Sequence, residues 1–365
     1  MVWEVKDFEE CIEKVNYTKK IQRKDFLVSG KYPIISQEQE YINGYWNDSK
    51  DIFKINKPIV IFGDHTQVIK YIDFDFVLGA DGVKILQPIK EIDSKFFYYF
   101  MINLKIKSLG YARHYRLLKE ASFPVPPLSI QKQIVSILDK SFEGITKAKE
   151  KSESNLKNSK EIFESYLQSV FENKGKDWEE KKLGDVCLVI AGQSPEGKYY
   201  NNNKKGLPFY QGKKDYGEKY IGEPTTWTTK ITKEAEKGDV LMSVRAPVGP
   251  INFSTQKICI GRGLAAIRAS KMIEREFLFN FLLNHQKKIV GNTGAVFNSI
   301  NKNQIENIVI YLPSLSEQQS IVSKLDSLSA ETKKLEKIYQ QKINDLEELK
   351  KAILQKAFNG ELTKD

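Results

Sequence analysis

Leu128-Ser129-Ile130-Gln131, with Ile134-Val135 and Leu138-Asp139 behind it, opens a long charged stretch; Leu315-Ser316-Glu317-Gln318, with Ile321-Val322 and Leu325-Asp326, opens another 187 residues later. Outward from these starts the echo continues. Trp3-Glu4-Val5-Lys6 is answered by Trp178-Glu179-Glu180-Lys181 and Tyr32-Pro33-Ile34 by Leu207-Pro208-Phe209, both at an offset of 175, while Ile92 to Asn103 is answered by Ile273 to Asn284 at 181. The chain is written twice, each copy a mixed segment followed by a helical one. The offset grows in steps, so the second copy carries small insertions in its globular part. The helical stretches keep one register, from Leu128 and Leu315 through Phe171 and Phe358.

This divides the 365 residues into globular segments 1–127 and 178–312 and helical segments 128–177 and 313–365. In the first globular segment Pro58 to Phe62 ends at Gly63-Asp64 and Phe74 to Leu78 ends at Gly79-Ala80-Asp81-Gly82, which reads as short strands closed by turns. Helical patterning follows from Phe96 to Leu109. The second segment repeats the plan, with Val186 to Ala191 ending at Gly192, Asp239 to Val244 at Arg245-Ala246-Pro247, and Lys257 to Ile260 at Gly261. Strands not regularly separated by long helices predict an α+β class with an antiparallel or mixed sheet.

After Pro124-Val125-Pro126-Pro127, Ser129 is a candidate N-cap, and Ser316 with Gln319 reads as a capping box for the second helix. Leu138, Phe142, Ile145, Leu156 and Phe163 recur near the spacing of a heptad seam, as do Leu325, Leu328, Leu335, Leu346, Leu349 and Ile353. Lys149, Ser152 and Ser159 weaken the first seam. A helix from Ser129 to Phe171 spans roughly 65 Å and needs a partner along its length. The order domain, helix, domain, helix supplies one: the first helix leads out and the second returns, giving two similar domains separated by an antiparallel coiled coil with an internal pseudo-twofold. Dimerisation of the helices with another chain is the competing reading; tethering of both partners in one chain disfavours it.

The net charge of +10 is uneven: residues 178–312 carry 20 Lys+Arg against 13 Asp+Glu, whereas 1–127 carry 19 against 17 and the helical segments are nearly neutral. Such helices suit protein contacts better than phosphate. Cys11, Cys187 and Cys259 have no framework spacing and fit a reducing cytoplasm, and His65, His114 and His285 do not complete a metal set with them. The amino terminus is charged from residue 4, unlike a signal peptide, and no apolar run is long enough to cross a bilayer.

Two nucleotide-binding motifs fail on inspection. Gly192-Gln193-Ser194-Pro195-Glu196-Gly197-Lys198-Tyr199 imitates a phosphate loop, but Tyr199 stands where a small hydroxyl must reach Mg²⁺. Gly261-Arg262-Gly263-Leu264-Ala265-Ala266 imitates a dinucleotide fingerprint, but continued strand pattern makes it a tight turn. No nucleophile with a matched base and no adenine-methylating Asn/Asp-Pro-Pro-aromatic motif is found, so the chain reads as non-catalytic, with no cofactor of its own.

The loops offer DNA-contact candidates instead. Ser36, Gln37, His65, Thr66, Lys70, Arg113 and Tyr115 fall at turns of the first segment, and Tyr210, Gln211, Lys213, Lys214, Arg245, Arg262 and Asn292 at turns of the second. Gln and Arg can pair bidentately with adenine and guanine edges, whereas Lys mostly neutralises phosphate. Asp64 is better suited to bracing its loop.

Ile34-Ile35-Ser36-Gln37, Ile61-Phe62-Gly63-Asp64-His65-Thr66 and Gly79-Ala80-Asp81-Gly82 resemble one type of target recognition domain in specificity subunits of type I restriction-modification enzymes. Leu207 to Gly212, Ser243 to Gly249 and Ile260 to Leu264 resemble another, and the resemblance extends through the Pro-Leu-Ser-x-Gln-x-x-Ile starts of both helices. It implies a DNA-reading subunit whose two domains each read half of a bipartite, asymmetric target in double-stranded DNA. The helices then set the gap and dock two methyltransferase subunits. S-adenosylmethionine, ATP and Mg²⁺ belong to partners, namely the methyltransferase and, where restriction occurs, two restriction/translocase subunits. A coiled-coil scaffold with two protein-binding domains is the alternative.

Overall fold

Short, continuously apolar strands such as Ile59–Gly63, Phe76–Gly79 and Val240–Ser243, buried along their length, build the sheets of both globular parts. The computed structural model describes residues 3–80, 82–110, 112–290 and 299–363, without the side chains of 287–290. The chain forms two compact units, one of Met1–Glu153 with Gln340–Asp365 and the other of Ser154–Tyr339.

In the first unit, strands Ile12–Glu13, Val83–Pro88, Ile59–Gly63 and Ile69–Ile72 lie in that order in an antiparallel sheet. A second sheet is mixed: Phe76–Gly79 lies between Lys20–Ile21 and Tyr32–Ile35, parallel to both, and Ile52–Phe53 also pairs with it, antiparallel. Glu4–Asp7 pairs with Ser122–Val125, closing the unit where the chain enters the first long helix. Val60, Phe62, Phe96, Phe97, Phe100 and Phe123 form the core beside Ile134 and Leu138 of that helix. Each such fully buried side chain contributes about 2 kcal/mol.

The second unit repeats these ladders. Ile34↔Val77 and Ile35↔Leu78 become Phe209↔Cys259 and Tyr210↔Ile260, and Val83↔Gly63 becomes Leu264↔Ser243. Ile52↔Val77 becomes Glu234↔Cys259, and Val5↔Pro124 becomes Glu180↔Tyr311. The equivalences place the growth in offset. Residues 211–233 replace 36–51, and 285–308 replace 104–121, so the growth in offset falls in the segments between the shared ladders.

The helix after each sheet differs as well. Ser94–Asn103 ends at Leu104, short of the expected Leu109, because Leu104 and Ile106 pack on the core in alternation with exposed Lys105 and Lys107. Its counterpart Arg275–Val290 runs for 16 residues.

The long helices span Leu128–Glu172 and Leu315–Phe358. Ser129 and Ser316 are not the caps. Each helix begins one residue earlier, the Pro127 carbonyl accepting from Ile130 N, and Ser314 receiving Glu317 N on its hydroxyl and Gln318 N on its carbonyl. Gln131 and Gln318, both fully buried, do the anchoring that the capping reading missed. Gln131 accepts from Asp93 N at 2.8 Å and donates to Glu91 O and Pro126 O at 2.9 and 2.7 Å. Gln318 accepts from Glu274 N at 2.7 Å and donates to Met272 O and Pro313 O at 3.2 and 2.9 Å. One glutamine in each copy thus ties the helix start to the loop that opens the domain helix.

Within the first unit the helical portions run antiparallel, Lys149 pairing with Glu347 and Lys350 lying over the Phe142 ring. Leu138 and Ile145 are buried in the seam and Phe142 half-buried; in the other unit Leu325 is buried and Leu156, Phe163 and Leu328 half-buried. Leu346 and Ile353 are half-buried too. Leu335 and Leu349 are exposed, and the apolar reading misplaced them. The positions taken for interruptions point inward instead. Ser152 and Ser159 continue the seven-residue spacing of Leu138 and Ile145, and both are buried. Their hydroxyls donate one turn back, to Ala148 O at 2.7 Å and Asn155 O at 2.8 Å, as does Thr332 to Leu328 O at 2.9 Å. A hydroxyl satisfied by its own helix leaves a small face for the seam. Leu167, Leu354 and Ala357 are further buried positions that the heptad reading passed over.

Candidate nucleic-acid interface

Strand ends, stitched together by backbone hydrogen bonds, build one loop cluster in each unit. In the second unit Gly261 N donates to Tyr210 O at 2.8 Å, Val244 N to Gly263 O at 3.0 Å, Gly192 N to Leu264 O at 2.9 Å and Arg262 N to Ser194 Oγ at 3.2 Å. Gly263 is required there, since a side chain would strike the Gln211 carbonyl. This stitching brings Gln211, Arg245 and Arg262 together, all exposed. Lys213 and Lys214, on the single turn Lys213–Asp215, are exposed and line a recess of about 420 Å³ with Tyr200, Phe209, Gln211, Thr225 and Thr226. Tyr200 stacks on Phe209 with ring centroids 4.7 Å apart.

The two imitation motifs resolve as loops. Gly197–Tyr199 is one 3₁₀ turn whose Lys198 pairs with Glu196 at 2.7 Å. Gly261 to Gly263 is the turn between strands Ile258–Ile260 and Leu264–Ala269.

In the first unit Asp64 is the organiser. Its backbone N donates to Gly82 O at 2.7 Å, and its buried carboxylate accepts from Tyr115 N at 2.7 Å. Its carbonyl receives His114 N at 2.8 Å. His114, also buried, accepts Leu109 N on Nε2, which leaves its Nδ1 hydrogen for the Asp64 carbonyl at 3.0 Å and fixes the neutral tautomer. The segment carrying exposed Arg113 is thereby held against the strand end at Gly63. Gln37 Oε1 accepts from His65 N at 3.1 Å, and Thr66 Oγ1 donates to Gln37 O at 2.6 Å. Gly82, at φ +89°, gives Gln37 room, for an added Cβ would lie 2.5 Å from Oε1.

Arg113 and Thr66 are exposed and His65 half-buried, while Gln37 uses its carbonyl group inside the loop. Three candidates are not presented to solvent. Ser36 is buried and accepts from Glu38 N. Tyr210 is buried with its hydroxyl donating to Gly222 O at 2.8 Å. Lys70 is buried, donating to Glu40 O and to Asn43 Oδ1 at 3.0 Å, and burial pushes its pKa down to about 8. Lysine carries its charge on a long stem that can fold inward, so residue type alone overstated its reach. Tyr115 is half-buried, its ring edge-on to Phe8 and beneath Lys84 and Lys119, so it packs more than it projects. Asn292 lies outside the described residues.

Sequence reading missed Asn43, which receives both Ser36 N and Lys70, and the recess residues Tyr200, Thr225 and Thr226. No periodicity marks them; only tertiary proximity does. Among the described residues no cluster could hold a metal ion, and no helix is long and apolar enough to cross a membrane. The three cysteines are free and buried.

A family model for the type I restriction modification DNA specificity domain matches residues 2–157 and again residues 175–347. The chain belongs to this family. A putative type I restriction enzyme MjaX specificity subunit from Methanocaldococcus jannaschii is 32% identical, the alignment covering 99% of this chain and 93% of that one. The EcoR124I/EcoR124II specificity subunit of Escherichia coli is 23% identical over 86% of this chain and 83% of its own. Among solved structures, the HsdS subunit from Thermoanaerobacter tengcongensis superposes with a TM-score of 0.68 at 26% identity, covering 99% of this chain and 97% of that one. A chain from a structure describing complex assembly and conformational transition of the type I R-M system reaches 0.78 at 26% identity, covering 98% of each. This type I restriction-modification specificity subunit therefore carries two target recognition domains and two long helices in an antiparallel coiled coil. Its role is DNA recognition within an assembly of subunits.

Proposed function

We propose that each recognition domain reads one half of a bipartite, asymmetric target in duplex DNA. The observation that carries this reading is the pair of loop clusters at corresponding strand ends, with different exposed side chains: Thr66 and Arg113 in one, Gln211, Lys213, Lys214, Arg245 and Arg262 in the other. Arg245, Arg262 and Gln211 are suited to base edges and the lysines to phosphate. The long helices serve as spacer and as docking surface for two methyltransferase subunits, and two restriction/translocase subunits complete the assembly where cleavage occurs. The subunit itself is non-catalytic and works in the cytoplasm; S-adenosylmethionine, ATP and Mg²⁺ act on its partners. The failed nucleotide motifs support this division of labour.

To test it, the chain with its cognate methyltransferase subunit is bound to random duplexes and the retained DNA sequenced. A gapped motif with two unlike halves is expected, and enrichment of no such motif would falsify the reading. Deleting one heptad from each long helix should change the gap and leave the half-sites intact; altered half-site bases would count against a spacer role. A protein-binding scaffold would retain no gapped DNA motif.

A further inference from the structure

The two copies fill one corner differently. In the first unit Tyr99 is buried, its hydroxyl donates to Asp139 Oδ1, and its ring meets Phe142 edge-on at 5.3 Å. Lys95 reaches the same carboxylate at 2.8 Å. The register of the second copy sets Asn280 in the place of Tyr99, Ser329 in that of Phe142, Asp326 in that of Asp139 and Glu276 in that of Lys95. Two aromatic rings are absent from that corner.

What the second unit has there is an open recess of about 300 Å³, with Phe163, Phe279, Leu283 and Leu325 among its walls and Asn280 and Ser329 within it. An apolar cavity of about 150 Å³ already holds a benzene ring. Asn280 is only 6% exposed, yet among the described residues nothing hydrogen-bonds its side-chain amide. Asp326, whose counterpart accepts the tyrosine hydroxyl, pairs among the described residues with Lys219 alone, at 3.8 Å, and Lys219 sits closer to Glu276, at 3.0 Å. The recess therefore offers apolar walls, an asparagine amide open to it and a carboxylate with spare acceptor capacity. The first unit shows what such a corner accepts: a tyrosine.

We propose that this recess receives a tyrosine side chain from a partner subunit, its ring against Phe163, Phe279 and Leu283 and its hydroxyl toward Asn280 or Asp326. The proposal rests on the docking role of the long helices, which supply Phe163, Leu325 and Ser329. It makes the two units unequal as docking surfaces, since the first fills the corner with its own chain.

Refilling the recess tests this. Asn280→Tyr combined with Ser329→Phe copies the first unit's filling and should leave the melting temperature at or above that of the parent. Titrated with the cognate methyltransferase subunit and followed by native mass spectrometry, the parent should take two copies, and the refilled variant should bind the second roughly tenfold or more weakly. Equal binding of both copies by the two proteins would overturn the proposal. If the parent bound no methyltransferase subunit, the docking reading itself would fall. A probe independent of variant folding is p-cresol, the tyrosine side chain as a free molecule, with toluene as its apolar control. The parent chain should bind p-cresol at millimolar concentration and more tightly than toluene, with nuclear Overhauser contacts to Phe279; binding of neither marks a hydrated corner only and sinks the idea.

Discussion

Ile34 and Ile35 pair with Val77 and Leu78 in one recognition domain as Phe209 and Tyr210 pair with Cys259 and Ile260 in the other, yet the loops leaving those strands share little. Residues 36–51 fold back through Asn43 onto a buried Lys70, whereas the longer 211–233 presents Gln211, Lys213 and Lys214 around an aromatic recess. The shared ladders are set by burial, which tolerates few exchanges, while the loop ends are constrained mainly by their backbone hydrogen bonds. Side chains there can diverge without cost to the sheet. Two unlike reading faces on one plan are what an asymmetric target demands.

The sharpest test of equivalence is the buried glutamine clamp. Gln131→Leu and Gln318→Leu each leave two carbonyls and one amide N–H without their partner, and each should cost about 3 kcal/mol or more. Urea unfolding, with hydrogen exchange at Asp93 and Glu274 to localise the loss, measures both. A large cost in one copy and none in the other would break the structural equivalence of the helix starts.

Smaller effects should separate the reading faces. Arg245→Ala and Arg262→Ala should each lower affinity by about 1–3 kcal/mol and relax specificity only in the half-site of the second domain. Arg113→Ala should act on the other half. Competition binding against duplexes altered one half-site at a time reads this directly, and changes at the same bases from both sides would contradict the division.

Smaller still is the phosphate contribution. Lys213→Ala and Lys214→Ala should each reduce the slope of log affinity against log salt by about 0.9, for every sequence alike. Lys70→Met should leave that slope unchanged, because its ammonium is spent on Glu40 and Asn43. A reduced slope in Lys70→Met would show that the loop opens to DNA.

Lys70 has a pH signature instead. Its folded pKa, near 8, lies below the unfolded value of about 10.4. Between those values the unfolded chain binds a proton that the folded chain lacks, so stability rises with pH across that window and is flat, for this group, below it. Denaturant midpoints from pH 7 to 9.5 should climb in the parent and climb less in Lys70→Met. Identical profiles would mean that the amine is not held out of water.

Part of the site was legible because some loop residues have little choice. Arg262, on a turn between two buried strands, and Arg245, after a strand end, remain in solvent. Lys70 and Tyr210 have a choice, since their neighbours can offer carbonyls below the surface, and both took it. The seam erred in the opposite sense. A count of apolar residues favoured Leu335 and Leu349 and discounted Ser152 and Ser159, because it cannot see a hydroxyl satisfied one turn back.

The sequence alone determined the duplication, the α+β domains, the two long helices and their common register, since repeats, turn residues and helical periodicity are local properties carried by the order of residues. Only the tertiary structure decided which loop side chains face solvent, that Gln131 and Gln318 anchor the helices, and that Asn280 and Ser329 leave open a corner that Tyr99 and Phe142 fill. Those outcomes depend on which backbone groups and rings lie across the fold from each residue. A linear pattern does not encode distances between residues dozens of positions apart.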